Sequence, residues 1–160
     1  MLSTILEDYN EAERVLRFGL VANPGDRLLT NNLAFVLISL GRLAEAQSLL
    51  DRMDPRAAED LSTITLIATR GMVLFRKGLV EVGRNLYLDA IDIAKRKSNP
   101  RFAALAALHL AVEEIRADTD TKLESFRNAR ELASQVDEPD VKHVYARLTK
   151  LAEQAKLTVD

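Results

Sequence analysis

Apolar positions recur at helical spacing almost from end to end of the chain, and the interruptions fall on turn residues. The pattern predicts a first helix over Tyr9 to Ala22, stopped by Asn23, Pro24, Gly25 and Asp26. A second runs from Asp26, as N-cap, to Leu40, with Gly41 as its stop. A third spans Leu43 to Met53 and closes at Asp54-Pro55. The fourth starts between Pro55 and Thr63 and ends near Lys77, before Gly78. Leu79 to Lys97 follows, then Asn99 as a cap and Pro100 at the first helical position. Pro100 to Arg116 is apolar on most sides, the signature of a buried helix. Thr119, Asp120 or Thr121 caps a helix to about Gln135; Asp137, Glu138 and Pro139 break it, and Asp140 to about Leu157 ends the series. No segment carries the alternation of a strand.

Within this pattern a unit repeats. In "NNLAFVLISLGRLAEAQSLLDRM", Asn31 to Met53, two apolar helical runs flank Gly41. The stretches starting at Glu7, Gly41 and Gly78 hold the same place in three helix-turn-helix units, at offsets of 34 and 37 residues (41 − 7 and 78 − 41). Leu33, Ala34 and Leu37 lead to the Gly41 turn, and Ala46, Leu50 and Met53 take small, bulky and small places beyond it. The next unit has Gly71 and Leu74, then Gly83, Tyr87 and Ala90; upstream, Ala12, Leu16 and Gly19 repeat the second half, with Pro24 closing it. A looser fourth has Leu105, Leu108 and Val112, then Phe126 and Ala129, with His109 at the small position. Arg70 occupies a place that is otherwise apolar. Small residues let helices approach, and bulky ones fill the gap left by the next unit.

The chain thus resembles the tetratricopeptide repeat family. The resemblance implies an all-α fold of antiparallel helix pairs stacked as a right-handed α-solenoid. Its units are a partial one over 1–26, then 27–60, 61–99 and 100–137, with a capping helix at 140–157. That helix carries the apolar stripe Val141, Val144, Tyr145, Leu148, Leu151 and Ala155. Met1 to Leu6 is too short for the partner helix of the first unit, so the chain reads as one domain of a larger protein.

Composition narrows the chemistry. Hydrophobic residues make up 48% of the chain but aromatics only 5%, with six glycines and four prolines, which suits helices of leucine and alanine. Cysteine is absent, so neither a disulfide framework nor a thiolate metal site is available. A net charge of −2 gives no reason to expect nucleic acid or an anionic membrane. With no long apolar run and no basic-then-apolar leader, a cytoplasmic protein is expected. Two pairs have ligand spacing, His109 with Glu113 and His143 with Asp140, but neither belongs to a metal motif, and packing or surface roles are the simpler reading. The run Lys95 to Lys97 reads as a solvated helix end. No catalytic constellation and no cofactor are expected.

A protein-interaction scaffold is therefore the expected function. By the family's geometry the first helix of each unit lines a concave groove. That places Asn31, Phe35 and Ile38 there from one unit, Ala68, Met72 and Phe75 from the next, and Ala106, Leu110 and Glu113 from the fourth. Such a groove is apolar and suits a partner's peptide or helix. Asn32 matches the asparagine of the chaperone-binding carboxylate clamp, but Thr65 and Thr69 stand where its lysine and arginine are needed, so that clamp is not expected. The alternatives are homodimerisation through the first two helices, with Val15, Leu16, Leu28 and Leu29, or the peptide-sensing part of a bacterial regulator.

Overall fold

A computed structural model describes residues 2–54 and 61–158, with side chains from Asp8 onward. Their secondary structure is helical throughout: α1 (Leu2–Ala22), α2 (Arg27–Ser39), α3 (Leu43–Asp51), α4 (Leu61–Arg76), α5 (Val80–Arg96), α6 (Pro100–Arg116), α7 (Lys122–Ser134) and α8 (Pro139–Gln154). Two caps form as expected. The Asp26 carboxylate accepts from Leu29 N, and Asn99 Oδ1 accepts from Phe102 N with Pro100 at the helix start. The first helix is longer than expected, because residues 2–8 continue α1 rather than form an element of their own. The expected start of the fourth helix lies partly outside the described residues.

Short turns pair α2 with α3, α4 with α5, and α6 with α7. The first helices of the pairs form one layer, α2 on α4, α4 on α6 and α6 on α8, while α1 packs on α2. This is a stacked helical-repeat solenoid, and its core runs along the layer interface through Leu33, Leu37, Leu50, Val73, Tyr87, Leu108 and Leu148. Its tightest contact is between α4 and α5. A Cβ at Gly71 would stand 2.9 Å from Gly83 O, and one at Gly83 would stand 2.8 Å from both Gly71 O and the Phe75 ring. Glycine at both positions brings the backbones together, and the Phe75 and Tyr87 rings close the seam edge to face, with centroids 6.1 Å apart.

Among the polar groups that tie the stack are three sets with buried or partly buried side chains. Arg70, out of place in an apolar pattern, donates from Nη2 to Leu50 O (2.8 Å) and Met53 O (2.7 Å), satisfying carbonyls at the end of α3. Glu114 is fully buried and accepts from Arg84 Nε on α5 at 2.5 Å, from Thr121 at 2.6 Å, and from Thr119. The expected threonine cap of α7 is therefore diverted: Thr121 stands before the helix but makes no side-chain cap bond. Finally, Arg76 on α4 grips both oxygens of Glu113 on α6, at 2.7 and 2.9 Å.

Candidate functional site

Turn geometry fixes which residues of each unit correspond. Gly41 (φ 79°), Gly78 (φ 82°), Asp118 (φ 53°) and Lys156 (φ 54°) each lie two residues past the ends of α2, α4, α6 and α8. Counting back from those ends puts Ala111 level with Ala34 and Gly71, and all three are buried. Sequence periodicity alone puts His109 at that small position; the structure corrects the register of the fourth unit by two residues. Leu108, Val112 and Ile115 are accordingly the equivalents of Asn31, Phe35 and Ile38, in place of Ala106, Leu110 and Glu113. The slip arose because α6 is apolar on most faces, so periodicity alone carries little phase information, and because an aspartate replaces the turn glycine.

The inner face of the array holds a cleft of about 260 Å³ between α2, α4 and α6. Five expected residues meet there, Asn31 and Phe35 from α2, Ala68 and Met72 from α4, and Ala106 from α6. The remaining four do not line it. Ile38, Phe75, Leu110 and Glu113 are buried, the first three within the core and Glu113 against Arg76. The walls also include Asn32, Thr65, Thr69, Leu105 and His109. These sit one turn toward the helix starts or one residue to the side of the expected stripe, a displacement a straight-helix projection does not capture. The Phe35 and His109 rings meet edge to face at 5.6 Å, so side chains of α2 and α6 meet across α4 and the face is concave. Asn31 is 6% exposed, and its Oδ1 has no hydrogen-bond partner.

The electrostatics of the cleft are simple. Burial, followed by the nearby Arg147 charge, lowers the His109 pKa to about 4, so the ring is neutral at pH 7. With Glu113 committed to Arg76, the His109–Glu113 pair is not a free ligand set. Asp140 is likewise taken, by Arg101 at 2.6 Å. Among the described residues no group of three potential metal ligands comes together. In the Lys95 to Lys97 run, Lys95 and Arg96 fall in the last turn of α5, and Arg96 pairs with Asp92 at 3.2 Å. Among the described residues no helix is long and apolar enough to cross a membrane.

The comparisons with known proteins agree with the geometry. A family model described as tetratricopeptide repeat matches residues 5–68, which takes in α1, α2, α3 and the first half of α4. Neither a curated protein nor a solved structure matches the chain. Repeats of this kind generally act as protein-interaction scaffolds. Residues 5–68 are thus similar to the tetratricopeptide repeat, and the helix pairs that follow continue the same stacking.

Proposed function

We propose that the chain is a cytoplasmic protein-interaction module, without chemistry of its own, that seats a partner segment in the cleft between α2, α4 and α6. The observation that carries this reading is the orphaned Asn31 Oδ1 in a mostly apolar concavity. A buried acceptor without a donor is destabilising by roughly 1–3 kcal/mol, which a bound N–H would recover. Size narrows the occupant. At about 260 Å³ the cleft is smaller than the roughly 300–1,000 Å³ typical of sites for drug-sized ligands, and it suits an inserted side chain. A whole helix, roughly 10 Å across, would lie over it rather than enter.

The test is selection of binders from a displayed library of random 12-residue peptides, followed by affinity measurement on two variants. Ala68→Trp fills the cleft, and Leu105→Asp charges its half-buried wall. Both should abolish peptide binding while the thermal midpoint stays near wild type. Unchanged affinity in two folded variants would remove the cleft from consideration.

Self-association is a second reading with its own observation. On α1, Phe18 is 79% and Val21 80% exposed, beside exposed Val15 and, on α2, exposed Leu28. Leu16 and Leu29 are instead half-buried and pack inward, Leu29 against Gly19. A monomeric mass in sedimentation at high micromolar concentration would dispose of this reading.

A further inference from the structure

The inner face continues beyond the cleft into a cluster of arginines. Arg76 lies one helical turn past Met72 on α4, and Arg116 lies two turns past His109 on the same face of α6. Arg147, on α8 packed against α6, is an electrostatic neighbour of both His109 and Arg116. Among the described residues one carboxylate, Glu113, acts on Arg76 and Arg116, and Arg76 already holds both its oxygens. Arg116 and Arg147 make no ion pair among the described residues, and both are exposed. Partial desolvation of its guanidinium, then the like charge of Arg76, outweighs the attraction of Glu113 and holds Arg116 below the ordinary arginine value. Arg147 pushes the same way, while the Tyr9 phenol opposes it. Among the described residues, Arg116 and the charged groups that act on it, Arg76, Arg147 and Glu113, thus carry an excess of two positive charges, in a chain whose net charge is −2.

We infer that the partner is an extended acidic segment, which inserts an apolar side chain beside Asn31 and Phe35 and sets a carboxylate on Arg116 and Arg147. This rests on the cleft reading above and names its ligand chemistry. The spacing follows from the helix. Seven residues from His109 to Arg116, at about 1.5 Å each, make roughly 10 Å, which is about three residues of extended chain at 3.3 Å each. An apolar residue three positions from Asp or Glu is therefore the expected motif. Exposed guanidinium groups without partners are ready to make charge-assisted bonds to such a carboxylate without first breaking one.

The 12-residue peptide library separates this inference from the reading it rests on. Selected peptides should pair an apolar residue with an acid three positions away, and their binding should weaken as salt rises. Arg116→Gln with Arg147→Gln should reduce their affinity roughly tenfold or more, since hydrogen bonds to charged groups are worth about 1.5–3 kcal/mol, and the selection should then lose its acidic preference. Ala68→Trp should abolish binding altogether. Peptides that are apolar but not acidic, and insensitive to the double variant, would overturn the acidic partner and leave the cleft intact. Peptides insensitive to Ala68→Trp, or no selected peptide at all, would overturn both. A dimer in sedimentation that Ala68→Trp dissociates would make a second copy the occupant, and tight binding of a single-stranded RNA 12-mer by the arginines would replace the acidic segment with a phosphate backbone.

Discussion

At the scale of single residues, the seam between Gly71 and Gly83 leaves least room for change. A methyl at Gly83 meets Phe75 N at 3.0 Å as well as Gly71 O, so the helices themselves must move apart. Gly83→Ala should destabilise the fold by about 2 kcal/mol or more in urea denaturation, the range of overpacked cores. Gly25→Ala, with nothing within 4 Å, should stay within about 0.5 kcal/mol of wild type. His109 sets a pH dependence. Its folded pKa of about 4 lies below the ordinary 6.5, so the unfolded chain takes up the proton first. Stability should be flat above pH 6.5, fall between 6.5 and about 4, and level off below, as far as this residue contributes. His109→Gln should flatten that segment of the profile. Phe35 and Phe75 look alike in the sequence, yet they differ here. Phe35 borders the cleft, whereas Phe75 presses on Gly83, so Phe75→Asp should unfold the array rather than merely block binding.

At the scale of elements, helix order and most boundaries were legible because their signals are local. Asp26, Asn99-Pro100, Gly41 and Gly78 each act within one turn of the helix they start or stop. What periodicity missed depends on distant partners. Nothing near Arg70 in the chain announces that it satisfies carbonyls of α3, and nothing near Glu114 announces Arg84. Burial pushes Glu114 up, but hydrogen bonds from Arg84, Thr119 and Thr121 outweigh it and hold the carboxyl below its ordinary 4.5. The stability it contributes is therefore full above about pH 4.5 and is lost as the pH falls through its lower folded value. Arg84→Leu would leave that carboxylate buried without its cation and should cost about 3 kcal/mol, measured by thermal or chemical unfolding at pH 7. Turn chemistry offers the opposite sign. Ser98 holds φ 53° after α5, and Ser98→Gly should stabilise by roughly 0.5–1 kcal/mol, the left-handed strain relieved less the added entropy of glycine in the unfolded chain.

At the scale of the whole molecule, curvature turns four stacked inner helices into a site. The sequence makes the inner stripe of α2 and α4 readable, and Asn31, Phe35, Ala68 and Met72 do meet at the cleft. How deeply each sits is a property of the stack. Ile38 and Phe75 share the stripe but lie in the core, while Thr65, Leu105 and His109 complete the opening from neighbouring positions. The arginines were invisible as a group for the same reason, since Arg76, Arg116 and Arg147 converge only when three helices are stacked. The exposed apolar face of α1 is a competing surface, and the two surfaces make different predictions about where a partner is felt. Amide chemical-shift mapping with the tightest selected peptide separates them most directly. Shifts centred on the Asn31 side-chain amide and the backbone of Phe35, Thr69 and His109 are the predicted result. Shifts centred on Phe18, Val21 and Leu28, with the inner face of α2, α4 and α6 unmoved, would contradict the account.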